Sequence, residues 1–188
     1  MTARVLLLAS GSGSVLQALL DSAVRPRIVA VGSDRADAFA LERAERAGVA
    51  AFTVDFTQYP ERAAWSEALL AAIDRYHPTL IVLAGFMRIL DATTVRNYQG
   101  RIINTHPALL PSFPGAHAIR DALTAGVRVT GCTVHWVDEG VDTGPVIDQA
   151  AVRVYEGDDE MSLHERVKAV ERELLVSVVA RLVEETEP

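Results

Sequence analysis

The chain has 188 residues, of which 49% are apolar and 23% charged, with a net charge of −7 and a single cysteine. That length fits one domain with a full hydrophobic core. The acidic balance excludes a general electrostatic pull toward nucleic acid or anionic membrane, and the lone cysteine excludes an internal disulfide, as expected of a protein of the reducing cytoplasm. No apolar run approaches the ~20 residues that span a bilayer, and the first residues lack the apolar stretch and cleavage site of a secretory signal.

Short apolar runs alternate with helix-like patterns. Residues 5–9 read as a strand, followed by Ser10-Gly11-Ser12-Gly13-Ser14 and a helical stretch over 15–21. A second strand covers 27–31, a helix ended by Gly48 covers 38–47, and a short strand covers 50–54. Over 61–76, Trp65, Leu69, Ile73 and Tyr76 recur at spacings of three and four, an amphipathic helix that stops before Pro78. Residues 80–84 form a strand apolar enough to be buried on both faces. A short helix over 91–98, a strand over 101–104 and a helix over 118–125 come next. Strands over 129–137 and 146–154 flank an acidic loop at 138–145. The last helix runs from about 162 to 184, with Val167, Val170, Leu174, Val178 and Leu182 as the stripe that docks on the sheet. This alternation predicts an α/β fold: one domain, a mostly parallel twisted sheet and helices on both faces. The sequence shows no internal repeat, low-complexity segment or linker.

Ligands of such sheets gather outside the carboxyl ends of the strands, where the polar loops of this chain fall. The glycines of the first loop allow close backbone approach, and the helix after it offers free N–H groups to a phosphate. The alternative is a flexible turn. Leu16 stands where a dinucleotide fingerprint needs its third glycine, no Gly-Lys-Ser/Thr is present, and Asp34 alone is a weak sign of a ribose contact. Residues 85–90 (Gly-Phe-Met-Arg-Ile-Leu) suit either the core or a flat apolar pocket, with Arg88 either anchoring a carboxylate or solvated. Asn104 and His106, two apart on an extended backbone, point to one side, and Pro107, Pro111 and Pro114 stiffen the loop beyond them. That pair either catalyses or caps a neighbouring element.

Asp142 sits among Asp138, Glu139, Gly140 and Gly144, in a solvated turn or as a carboxylate acting on His106; the spacing misses the calcium-loop pattern. His135 alternates with apolar residues and faces either the site or the sheet surface, while His77 and His164 read as surface residues. A zinc site built from His106, His117 and His135 lacks the short ligand spacing. Cys132, between Gly131 and Thr133, reads as a small packed residue rather than a nucleophile.

Taken together, residues 10–14, 84–90, 104–115 (Asn-x-His-Pro followed by Leu-Leu-Pro) and 131–147 (with Asp-x-Gly-Pro) resemble the phosphoribosylglycinamide formyltransferase family over nearly the whole chain. The resemblance implies a Rossmann-related formyltransferase fold with antiparallel strands added toward the C-terminal part. It places a phosphate-binding half at about 1–100 and catalytic and folate-binding residues at about 84–150. It further implies transfer of a formyl group from 10-formyltetrahydrofolate, as co-substrate, to the amine of glycinamide ribonucleotide in purine biosynthesis, with no metal, by a monomer or homodimer whose partners are small molecules.

By the same resemblance Asn104, His106 and Asp142 match the catalytic trio, and Arg62, Met87, Arg88, Ile89 and Leu90, with Asn104, match folate-binding positions. Gly11, Ser12, Gly13, Ser14 and Val15 match the loop that holds the ribonucleotide phosphate. Lys168 falls where a phosphate-reaching residue occurs, Glu171 matches an acid near the glycinamide, and His135 matches a histidine at the edge of the site. The chain departs from the pattern at Ser12 and Val15, where asparagines are frequent, and at Ser112, where lysine is frequent. Related hydrolases carry an extra N-terminal domain and tRNA formyltransferases an extra C-terminal one. A first strand at residue 5 and a chain that stops after its last helix are expected to set this protein apart from both. A nicotinamide-dependent oxidoreductase and a non-catalytic nucleotide-binding module are the readings from other classes.

Overall fold

Every side chain of β1 (Val5–Leu8) is buried, because this strand lies mid-sheet with helices over both faces. It pairs in parallel with β2 (Ile28–Ser33) on one side and β4 (Leu80–Leu83) on the other. β3 (Ala51–Thr53) extends the sheet beyond β2, and β5 (Ile102–His106) extends it beyond β4, again in parallel. β6 (Val129–Trp136) and β7 (Val146–Arg153) complete the order β3-β2-β1-β4-β5-β6-β7 as antiparallel strands. The computed structural model describes residues 2–186 as this single α/β domain.

Alternation along each strand divides the core in two. Val5, Leu7, Val31, Val82 and Ile103 face α1 (Ser14–Leu20), α2 (Phe39–Arg46) and α6 (Glu160–Thr186). Leu6, Leu8, Ile81, Leu83 and Ile102 face α3 (Arg62–Asp74) and α4 (Ala92–Asn97). Trp65 of α3 is 1% exposed, and its indole N–H donates to the Val54 carbonyl at 2.8 Å. Burying so large a ring with its one donor satisfied is a strong tie between α3 and the sheet. α5 (Ala118–Thr124) joins β6, β7 and the first turns of α6 through Ile119, Cys132, Val152 and Leu163.

Strand order reverses between β1 and β4, so the loops leaving their carboxyl ends part, and the crevice between them is where a ligand fits. Beside it, β5 runs two residues past the expected end at 104. β6 holds it there through the pairs Asn104–His135 and His106–Thr133, and Pro107, with no N–H to give, ends it.

The last helix is rotated from its expected stripe. Its buried row is Leu163, Val167, Glu171, Leu175, Val179 and Val183, with Val178 beside it, whereas Val170, Leu174 and Leu182 are half-buried. An acid at the middle of the inward row broke the apolar periodicity on which the expectation rested.

Candidate active site

β5 places Asn104 and His106 on one face and Thr105 between them on the other. The loop after Pro107 returns over the strand end. Phe113 takes a φ of 54°, uncommon for an aromatic residue, and its carbonyl lies 2.8 Å from His106 Nε2. A carbonyl only accepts, so Nε2 carries a proton. The other ring nitrogen, Nδ1, lies 3.3 Å from Asp142 Oδ2. Both nitrogens of His106 therefore face acceptors, and the doubly protonated ring satisfies both.

Asp142 reaches this point from the β6–β7 connection with a φ of 55°, a conformation that aspartate tolerates better than most side chains. Its Oδ2 also accepts the Gly115 N–H at 2.8 Å, and its Oδ1 lies 3.5 Å from His135 Nε2 and 3.4 Å from Asn104 Nδ2. The His135 hydrogen bond, then the Gly115 amide and the charge of a protonated His106, hold the Asp142 carboxyl down at about 2, against the cost of burial. The connection comes this close because Gly144 has no side chain: a Cβ there would stand 1.8 Å from the Trp136 carbonyl oxygen. That same carbonyl is 2.9 Å from His135 Nδ1, so His135 donates from Nδ1, and its Nε2 faces both the Asp142 carboxylate and the Asn104 amide, the latter at 3.2 Å.

These four side chains form the floor of a cavity of about 530 Å³. One wall is the 85–90 loop. Phe86 and Leu90 turn into the core, while Met87 and Ile89, 76% and 55% exposed, project from the loop. The run thus divides between the core and pocket readings. Ser10 Oγ accepts the Met87 N–H at 2.8 Å, which ties this wall to the first loop. Arg88 is partly exposed and only partly free for a carboxylate ligand, because its Nε donates to buried Asp34 at 2.8 Å. The 138–142 segment also lines the cavity, together with His117, Arg120, Glu160 and His164. His164, expected at the surface, is half-buried in this lining, and burial followed by the nearby Lys168 charge lowers its pKa.

Other sequence candidates lie outside the cavity lining. Arg62 borders a separate depression across the Ile89 backbone, where it donates to the Ile89 carbonyl. The Gly11–Val15 stretch stands beside α2: Ala40 N–H donates to the Gly11 carbonyl at 3.1 Å, and Arg43 Nε donates to the Ser12 carbonyl at 2.7 Å. Gly13, at a φ of 65°, lies so near α2 that a Cβ would come within 2.9 Å of Ala40 Cα. With these carbonyls turned to α2, the amides of Ser12 and Gly13 point the other way, since N–H and C=O oppose each other across a peptide plane. Such outward amides suit an anion.

Glu171 sits beneath the sheet, its Oε1 accepting from Thr105 Oγ1 at 2.7 Å, and burial raises its pKa. Lys168 pairs with Glu165 at 2.8 Å. Burial, then the Glu171 charge, pushes the Cys132 thiol up to about 12, which fits a packing residue. Among the described residues no group of three or more His, Cys, Asp or Glu side chains is placed to hold a metal ion, and no helix is long and apolar enough to cross a membrane.

Four features of the site carry no clear mark in the sequence: the Phe113 carbonyl, the Gly115 amide, the Thr105–Glu171 bond and the Asp34–Arg88 pair. Only the Phe-Pro-Gly turn hints at the first two; the other two join residues far apart in the chain.

Comparison with known proteins agrees with this architecture. The formyl transferase family profile matches residues 3–179. The phosphoribosylglycinamide formyltransferase of Mycobacterium tuberculosis H37Rv is 54% identical over 183 residues, spanning 96% of this chain and 85% of that protein. The Escherichia coli K12 enzyme of the same name is 43% identical over 180 residues, 94% of this chain and 85% of its own. The crystal structure of glycinamide ribonucleotide transformylase 1 from Symbiobacterium toebii superposes with a TM-score of 0.94 at 45% identity, covering 98% of this chain and 89% of that one. With its sequence and its fold aligned along nearly their full extent, the chain belongs to the formyl transferase family.

Proposed function

We propose that this chain transfers the formyl group of 10-formyltetrahydrofolate to the amino group of glycinamide ribonucleotide, a step of purine biosynthesis, with Asn104, His106 and Asp142 as the reacting-centre residues. The observation that carries the reading is the His106 ring, held between the Asp142 carboxylate and the Phe113 carbonyl on the cavity floor, with the Asn104 amide beside it.

The substrate amine adds to the formyl carbon, forming a C–N bond, and the carbonyl electron pair moves onto oxygen. Asn104 Nδ2 faces His135 Nε2 at 3.2 Å and Asp142 Oδ1 at 3.4 Å, and exchanging the longer contact turns one of its hydrogens to the oxyanion. A preorganised donor of this kind contributes roughly 10²–10³ in rate. Collapse re-forms the carbonyl and breaks the carbon–nitrogen bond to the folate. The folate nitrogen leaves with the electron pair and takes up a proton, and the attacking nitrogen gives one up. Protonated His106 gives its proton to the folate nitrogen and takes back the one released by the amine, while Asp142 holds its ring and stabilises the charged form, help worth typically ~10²–10⁴. No metal enters these steps.

The folate lies along Met87–Leu90, with Arg62 beyond Ile89 for its acidic end. The outward amides of Gly11–Val15 and the Lys168 ammonium take the ribonucleotide phosphate, and Glu171, reached through Thr105, stands near the incoming amine. The work thus divides between a phosphate-binding region within about 1–100 and a catalytic and folate-binding region within about 84–150. The buried lone cysteine suits the cytoplasm as the place of action.

The test is release of tetrahydrofolate, followed by absorbance. Release that requires glycinamide ribonucleotide supports the transfer; release at the same rate without it overturns the transfer in favour of hydrolysis.

A further inference from the structure

Asp34, at the end of β2, is 1% exposed, and its carboxylate is only half satisfied. Oδ2 accepts from Arg88 Nε at 2.8 Å, while Oδ1 is buried without a hydrogen-bond partner among the described residues. A buried carboxylate with an idle oxygen is costly to keep, so it calls for a reason.

That reason lies at the other end of the pair. Arg88 is at the centre of the 85–90 wall, between the two side chains that project from it. Its guanidinium carbon lies 4.1 Å from the centroid of the Phe56 ring, and the Phe56 N–H donates to the Asp34 carbonyl at 3.0 Å. Asp34 and Phe56 thus form one cradle, which takes the guanidinium by its edge and by its face. With the Arg88 side chain drawn back to the end of β2, Met87 and Ile89 on either side of it stay exposed and line the cavity. The Ser10 and Arg62 contacts hold the backbone at either side but leave those side-chain directions open.

We propose that Asp34 is a positioning residue for the folate wall: by anchoring Arg88 Nε it turns Met87 and Ile89 into the cavity as a preformed apolar surface. This rests on the reading that the wall receives the folate. It also gives Asp34 a purpose other than a ribose contact.

Calorimetric titration of the purified protein with tetrahydrofolate, and separately with glycinamide ribonucleotide, tests it. Asp34→Ala weakens tetrahydrofolate binding about tenfold, the size expected for loss of a charge-assisted hydrogen bond, and leaves ribonucleotide binding within about twofold. Asp34→Asn, which keeps the shape and removes the charge, shows the same split at about threefold and serves if the alanine variant fails to fold. In an Arg88→Ala background, Asp34→Ala adds less than about twofold, because the effect passes through Arg88.

Unchanged tetrahydrofolate affinity in both Asp34 variants overturns the inference. So does a loss that persists undiminished without Arg88, or an equal loss toward both ligands, which marks general loosening. Wild-type protein that binds no tetrahydrofolate overturns the functional reading itself, and this inference with it.

Discussion

Asp142 and His106 meet at 3.3 Å, Oδ2 to Nδ1, although one arrives from the β6–β7 connection and the other ends β5. The contact is buried, with the two side chains 11% and 5% exposed, and the second carboxylate oxygen turns to His135. One acid therefore organises two imidazoles, and its properties set those of the whole cluster.

Asp142 titrates at about 2 in the fold, below its ordinary value of 3.8. A depressed acid contributes stability that is fully present above the unfolded value, and this contribution is lost as pH falls through the folded one. The gap is worth about 2 kcal/mol by linkage. Urea unfolding of wild type and Asp142→Asn is expected to differ by about that amount at pH 7, with the difference shrinking between about pH 4 and pH 2. Turnover of the variant falls by about 10² or more, since the amide cannot hold a protonated ring.

Gly144→Ala tests how the connection is brought in. The new Cβ would stand 1.8 Å from the Trp136 carbonyl oxygen, which is backbone and cannot swing aside. The connection must shift, carrying Asp142 with it. Unfolding free energy drops by about 1–3 kcal/mol, and turnover falls by about tenfold or more, as expected when a reacting group moves by a fraction of an ångström. Denaturant titration and initial rates on the same preparation check both.

Glu171 offers the opposite balance. Burial raises its carboxyl pKa, so its charge opposes folding at neutral pH and this penalty is relieved as pH falls toward the ordinary carboxylate range. Glu171→Gln is expected to be as stable as wild type or more so at pH 7, because the Thr105 hydroxyl still finds an amide oxygen to donate to. The KM for glycinamide ribonucleotide rises about tenfold as the negative charge near the amine is lost. Thermal melts and a two-substrate rate matrix separate the two effects.

The strands were readable because a sheet covered on both faces demands unbroken apolar runs, and 80–84 has nothing else to be. Asn104 and His106 were readable as a pair because a strand's two-residue period puts them on one side. The α6 stripe was misplaced for an informative reason: Glu171 occupies a position that packing alone would give to leucine. The partners of His106 were harder to read. Phe113 and Gly115 act through backbone atoms that any residue possesses, and the bond between Asp34 and Arg88 spans 54 positions that only folding closes.

The central claim, that His106 moves a proton during formyl transfer, is tested most directly by single-turnover kinetics of His106→Ala with both substrates saturating. The account predicts a chemical step slowed by about 10²–10⁴ with tetrahydrofolate affinity within about threefold of wild type. A chemical step within about twofold of wild type in that folded variant would contradict it.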